Sequence, residues 1–523
     1  MRAMFETIAT LDAKGDYHGL HALLQDALNQ VNQLISANGQ LLIRARYQAA
    51  YLVSKHLAAA GVCHPIAAFA QGIGGVLFGD ETWEVLGRSH LAAAVDAFTP
   101  AQQAIFFNKV IQPVTYRLID WHIAHGKTGT LPRLLEILKA GTPGLREVFD
   151  LTAEAPLFDI QEQVRSGRQR ARLVEYECPP AGARGAPKKA VVAMRRLYFE
   201  DNPKSRPHDV GPRICAAMNA YGWKAGFCGF DSRSAEEGCR AIAGFCLREQ
   251  PDVLILDDHI LMVANAGNAR DSLIATLRQR LPSLKTVAVH LDAWLLPPAS
   301  LKASADSFDL FWLGEGAGMP VWEEPVFRGR IFNMPLPHAG NFAAPAGPLP
   351  EHMSFQGAFE AYNWHRICWW TAARQKQLPI DWQVSAHTDD GLSVLDSYAA
   401  YMRRVAAAGI SLNFSMRPDL SKIVTGRVWE ALVSGALLVT ENCADMDRYL
   451  ISGEHYLGFS TLPELASIAR FLVEHPEEAE TARRQGHAFA REHYNDDRII
   501  GCLDRLLHHS ACPARANTAP ANA

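Results

Sequence analysis

The chain has 523 residues, 48% hydrophobic and 20% charged, which excludes a disordered polymer and is too long for one ordinary core, so two to four domains are expected. A formal net charge of −4 excludes general affinity for nucleic acid or anionic lipid, and any anionic ligand needs a local basic site. The start MRAMFETIATLDAKGD lacks the apolar run of a signal peptide, and PIAAFAQGIGGVLFG is too short and glycine-rich to span a bilayer, so no transmembrane segment and a cytoplasmic location are expected.

From residue 17 to about 150 the pattern is helical. YHGLHALLQDALNQVNQLI, LLIRARYQAAYLVSKHLAAAG and ETWEVLGRSHLAAAVDAF repeat apolar residues at three- and four-residue spacing, as amphipathic helices do. At TPAQQ, Thr99, Pro100 and Gln102 form a helix start with the makings of a capping box. Residues 1–177 are read as an all-α domain.

CPPAGARGAPKK (178–189) reads as a linker. Beyond it the rhythm changes: AVVAM, WKAGFCGF, PDVLILDD, KTVAVHLD and FDLFWL are short apolar runs separated by helical patterns such as HDVGPRICAAMNAYG and DSLIATLRQRLPS. Strands alternating with helices imply a parallel, doubly wound sheet over residues 190–345. After the break MPLPHAGNFAAPAGPLPEH a second alternating series, 346–510, runs through MSFQG, DWQVSAH, ISLNFS, ALLVT and YLGFS. WHRICWW (364–370) reads as core, and HPEEAETARRQ as a solvated, ion-paired helix. The tail 511–523 is expected to be disordered. Ten scattered cysteines without a Cys-x-x-Cys pair read as reduced, mostly buried thiols.

Two such domains in tandem bind ligand where strand carboxyl ends meet across a cleft. GT-B glycosyltransferases, some epimerases and some phosphorylases share that architecture, and fold alone does not choose among them.

The choice comes from GRVWEALVSGALLVTE (426–441). From Asn413 to about Tyr494 the sequence resembles the C-terminal domain of GT-B glycosyltransferases, closest to the spore-maturation (CgeB-like) branch of the glycosyl-transferase-1-like families. SFQGAFEAYNWHR (354–366) is a weaker echo of the start of that domain. The resemblance implies an α/β GT-B fold of two Rossmann-like domains, here preceded by helices. It also implies a nucleotide-diphosphate sugar as donor substrate, no other cofactor and no metal.

By position, the resemblance makes Glu430 the acceptor of the donor's ribose hydroxyls. A carboxylate suits this because it only accepts and can take two hydroxyls at once. An ion pair or cap on an exposed helix face is the alternative. Gly426 and Arg427 start the same helix, whose free N–H groups, dipole and guanidinium favour phosphate; a surface arginine beside a turn is the other reading. Lys422 is a second loop cation. Many retaining relatives carry a glutamate there, eight residues before Glu430, so its replacement leaves retaining versus inverting chemistry open.

Glu441, at the carboxyl end of ALLVT, could meet sugar or ribose, or cap a loop. Asn413 and Ser415 hold the equivalent place on the preceding strand. His365 and Arg366 could add positive charge toward the diphosphate, or pack. In the first Rossmann-like domain, His290 and Asp292 follow a strand and are the first candidates for a base, with a structural histidine as the rival. His208 and Asp209 lie on the acceptor side, and the DD of LILDDH is not a convincing metal site.

The reading is a glycosyltransferase with a glycan, lipid-linked glycan or protein as acceptor. The helical region would offer a surface for a protein partner. A GT-B-fold epimerase or phosphorylase, or a non-catalytic scaffold acting through the helices, are the rivals.

Overall fold

The computed structural model describes residues 2–27, 30–125, 127–148, 159–172, 186, 188–197, 208–231, 235–258, 261, 267–291, 296–314, 319–338, 340, 343–345, 347–358, 364–385, 387–388, 391–392, 398–417 and 421–509. Most of the 178–189 segment, Asp292 and the tail beyond 510 therefore lie outside the described residues.

Helices fill the first part, from Arg2–Lys14 to Ile160–Ala171. The Thr99 box forms: its N–H donates to Gln102 Oε1 at 2.9 Å and Gln102 N–H donates to Thr99 Oγ1 at 3.4 Å. PIAAFAQGIGGVLF forms the helix Pro65–Phe78, almost wholly buried among its neighbours. Its glycines are contact points between helices. A Cβ on Gly74 would lie 2.2 Å from the Tyr51 ring, and one on Gly87 of the next helix 2.4 Å from Gly72 N. Among the described residues no helix is long and apolar enough to cross a membrane.

The first sheet contains β1 (Lys189–Arg195), β2 (Lys224–Phe230), β3 (Val253–Leu256), β4 (Lys285–His290), β5 (Leu310–Leu313) and β6 (Ile331–Phe332). The strands are parallel in the order β2-β1-β3-β4-β5-β6. The second sheet contains β7 (Met353–Ala358) and β8 (Ile380–Ser385), after which β9 (His387–Thr388) and β10 (Gly391–Leu392) make a small antiparallel pair. It continues with β11 (Ile410–Asn413), β12 (Leu437–Glu441) and β13 (Leu457–Phe459), in the parallel order β13-β12-β11-β7-β8. Each strand order reverses once, beside β1 and beside β7, and the crevices at those points are where doubly wound sheets take ligands.

The final helix, Asp496–His509, returns to the first domain. Ile499, Ile500, Leu503 and Leu507 enter the core made by Val192, Ile214 and Met218, and Lys188 pairs with Asp504. Two doubly wound domains, tied by a returning terminal helix and preceded by helices, make the α/β GT-B architecture.

The N-terminal helices share one apolar core with the second sheet, in which Leu135 and Val164 join Phe355, Trp369, Phe414 and Phe459. The helix Ile160–Ala171 sits on the edge strand β13. Gln163 Nε2 donates to Gly458 O at 3.0 Å, and Gly458 N donates to Gln163 Oε1 at 3.2 Å, which satisfies an edge otherwise open to strand addition. Close approach there requires glycine: Gly453 has φ +84°, and a Cβ on it would fall 2.0 Å from Gln163 O. The described cysteines are free, and all but Cys63 and Cys443 are buried.

Candidate functional site

A cavity of about 240 Å³ opens between the two Rossmann-like domains. From the first domain it takes Arg195, at the carboxyl end of β1, with His208, Val210 and Arg213 at the start of the following helix. From the second it takes Gly426, Trp429 and Glu430 of the helix Gly426–Val433. His338, on the segment joining the sheets, closes one side.

The helix Gly426–Val433 is placed by a polar network beneath it. Thr425 occupies the cap position but makes no side-chain cap. Its hydroxyl donates instead to Asn413 Oδ1 at 3.2 Å, and Asn413 Nδ2 donates to Thr440 Oγ1 at 2.9 Å. The first turn is thus anchored to the ends of β11 and β12. Glu441, fully buried, accepts from the backbone N–H of Ser415 at 3.1 Å and Met416 at 3.0 Å. Lys422 Nζ lies 2.9 Å from Glu441 Oε1, and the Ser415 hydroxyl donates to Glu441 O at 3.0 Å.

Asn413, Ser415, Lys422 and Glu441 are therefore brought together, but as the support of residues 414–417 and 421–425 and not on the cavity wall. The reason is the geometry of β12: its five residues, Leu437 through Glu441, are all buried, and a carboxylate there needs internal donors and a cation.

Glu430 reaches the cavity, and its Oε2 accepts from the Tyr401 hydroxyl at 2.9 Å. Arg427 also meets the Tyr401 phenol, which feels its charge and a hydrogen bond from it. Its guanidinium lies 5.3 Å from the centre of the Phe355 ring, and Arg366 lies over the same ring at 5.9 Å. Both arginines thus gather at β7, beside the reversal of the second sheet. His365 is fully buried, and burial, followed by the charges of Arg366 and Arg417, holds its pKa well below the usual range. It stays neutral and packs, while Arg366 remains a cation.

Room for Arg427 depends on one missing methyl group. A Cβ on Gly357 would lie 2.9 Å from Arg427 Nη2. The same Cβ would lie 3.0 Å from the Phe355 ring, which is fully buried and cannot retreat as the guanidinium can, so Gly357→Ala should lower the melting temperature by a few degrees, as a thermal melt would read.

In the first domain the structure separates the histidines. His290 is fully buried. Alternation along β4 sends it, with Ala288, toward the layer containing Leu273, Leu277 and Trp322. Its ring stacks on Phe311 at 6.1 Å and meets Trp322 at 5.7 Å. Its Nε2 is 3.5 Å from Asp258, which also accepts from Arg270 Nη1 at 3.1 Å. Burial pushes the Asp258 carboxyl up to about 6 against the pull of Arg270. His290 thus belongs to a buried polar cluster with Asp258 and Arg270 and is not among the residues that line the cavity. Asp292 lies outside the described residues.

His208 does line the cavity, 1% exposed, and its backbone N–H donates to Arg196 O at 2.8 Å. Asp209 stands beside it at the helix cap, 3.6 Å from Arg213 Nε.

Sequence reasoning missed Arg195, Arg213, His338, Tyr398 and Tyr401. Arg213 stacks on the Tyr398 ring at 3.7 Å across the domain boundary and donates to Pro337 O at 3.2 Å. His338 Nδ1 is 2.8 Å from the Tyr398 hydroxyl, and burial lowers its pKa to about 3. Its backbone N–H donates to Asp496 at 2.7 Å, at the start of the returning helix. Only Arg195, closing the apolar run AVVAMR, carried a signal, its place at a strand's carboxyl end. The others act through contacts between distant segments.

Fold and site together define a two-domain GT-B protein with a carboxylate and a helix start facing an interdomain cavity. Residues 383–504 match the family described as glycosyl transferase-like. No curated protein matches the chain. Among solved structures it is similar to sucrose-phosphate synthase of Thermosynechococcus elongatus, at 11% identity and a TM-score of 0.43, covering 61% of this chain and 98% of that one. It is also similar to Anabaena HepE in complex with UDP-glucose, at 10% identity and a TM-score of 0.41, with 61% and 98% covered. A glycosyltransferase of Rickettsia africae shows 8% identity and a TM-score of 0.41, with 63% and 100% covered.

Proposed function

We propose that the protein transfers a sugar from a nucleotide-diphosphate sugar to an acceptor held between its two Rossmann-like domains. The observation that carries this reading is Glu430, in the region matched by the glycosyl transferase-like family, facing a cavity completed by the other domain. Glu430 would accept the ribose hydroxyls. The diphosphate would run from the helix start at Gly426 toward Arg427 and Arg366 at the end of β7. There the partial positive charge of the helix end and two guanidinium groups stabilise the leaving group without a metal.

His208 replaces His290 as the proposed proton acceptor for the incoming nucleophile. His338 shares the cavity, but its Nδ1 is engaged by Tyr398 and its buried ring resists protonation. Asp209 would bear on the acceptor side through Arg213. Asn413, Ser415, Lys422 and Glu441 would act on the donor indirectly, by fixing the loop and the helix start. A hexose as the sugar, a glycan, lipid-linked glycan or protein as acceptor, kinship with the spore-maturation branch and action in the cytoplasm complete the reading. The N-terminal helices cover the second sheet, an employment that does not require a partner protein.

A thermal-shift series with UDP-, GDP-, ADP- and dTDP-sugars tests this directly. One of them should raise the melting temperature by several degrees at saturating concentration, because a ligand bound only to the folded state must stabilise it. Failure of all of them would favour the scaffold reading.

A further inference from the structure

Arg427 and Glu430 stand three residues apart on one helix, the spacing at which arginine and glutamate normally pair. Among the described residues no ion pair joins them. Glu430 Oε2 is instead taken by the Tyr401 hydroxyl at 2.9 Å, from the helix Tyr398–Ala408 packed alongside. Arg427 extends over the Phe355 ring and against Gly357. The Tyr401 phenol feels both neighbours: burial and the charge of Glu430 raise its pKa, and Arg427 opposes them. It therefore stays protonated at neutral pH and donates to the carboxylate.

We propose that Tyr401 is a positioning residue that holds Arg427 and Glu430 apart, keeping the guanidinium for the donor's diphosphate and the carboxylate for its ribose. The proposal rests on the donor-site reading above. With one carboxylate oxygen engaged by the phenol, the other is left for the ribose hydroxyls, which suits recognition of a ribose against a deoxyribose. Without the phenol, nothing prevents the i,i+3 pair from closing. Both donor contacts would then be lost together, although Tyr401 touches neither phosphate nor sugar.

The test uses the full chain and isothermal titration of UDP, GDP and ADP beside their 2′-deoxy counterparts, continuing with the base that binds best. The native protein should prefer the ribonucleotide. Tyr401→Phe should weaken it about tenfold, the scale of a lost charge-assisted hydrogen bond, and bring the ribo-to-deoxy ratio toward one. Adding Arg427→Gln to Tyr401→Phe should restore the ratio, since Glu430 is released, while overall affinity stays low.

A merely structural tyrosine would not show that rescue. An unchanged ratio in Tyr401→Phe, or no rescue in the double variant, overturns the proposal. Glu430→Gln separates the two readings: if it leaves the native ratio intact, the donor-site reading fails and this one with it. Should Tyr401→Phe not fold, Tyr401→Gln, which keeps a donor at that place, is expected to retain the preference, and its loss would also overturn the proposal.

Discussion

Glu430→Ala is expected to remove donor binding while leaving the fold intact. The side chain lies on the cavity wall, and its described bond is the one from Tyr401. Losing that bond should cost the unliganded protein about 1 kcal/mol, the net worth of an ordinary hydrogen bond. A nucleotide sugar would lose two charge-assisted bonds to its ribose, about 3–5 kcal/mol together, or at least a hundredfold in affinity. Titration of the nucleotide sugar identified by thermal shift, with the unliganded melting curve as control, reads both quantities. Unchanged donor affinity in a well-folded Glu430→Ala protein would remove the central residue of the proposed site.

The second large effect is on stability. Glu441→Ala should destabilise the second domain by about 2–4 kcal/mol, chiefly the cost of leaving two buried backbone donors without an acceptor. Two backbone N–H groups, those of Ser415 and Met416, lose their acceptor, and Lys422 is left without the carboxylate beside it. Glu441→Gln, which keeps an acceptor oxygen and removes the charge, should cost less. Chemical denaturation followed by tryptophan fluorescence measures the difference, since Trp429 and Trp369 are buried in this domain. A Glu441→Ala protein of native stability that no longer binds donor would return Glu441 to the ligand.

The two glutamates of GRVWEALVSGALLVTE show where sequence stops and packing begins. The helix, the break at Gly435 and the strand were legible, because a 3.6-residue period, a glycine with φ +74° and a short apolar run each report on the backbone locally. Both carboxylates sat near strand or helix ends, so both were candidates for the ligand. What separates them is which surface each end meets. Glu430 points from a helix into an interdomain cavity, whereas Glu441 ends an interior strand and is covered by Ser415, Met416 and Lys422.

The histidines diverge for the same reason. His290 and His208 each follow a strand of the first sheet, and either could have met the cleft. Alternation along β4 turns His290 into the layer of Phe311 and Trp322, while His208, just before the helix Val210–Tyr221, lines the cavity. Tyr401 had no local signal, since a tyrosine in an amphipathic helix reads as core. Its role depends on a carboxylate 29 residues away.

The sequence by itself determined the alternation of strands and helices that makes two doubly wound units, the helical character of the first part of the chain, and, through resemblance and position, which helical glutamate to single out. These properties follow from periodicity, turn chemistry and short motifs, which act over a few residues. Only the tertiary structure decided that the N-terminal helices share a core with the second sheet, that the final helix ties the domains together, and which polar side chains face the cavity. Those outcomes depend on surfaces made by residues hundreds of positions apart, such as Gln163 and Gly458, and no local pattern encodes which of them will meet.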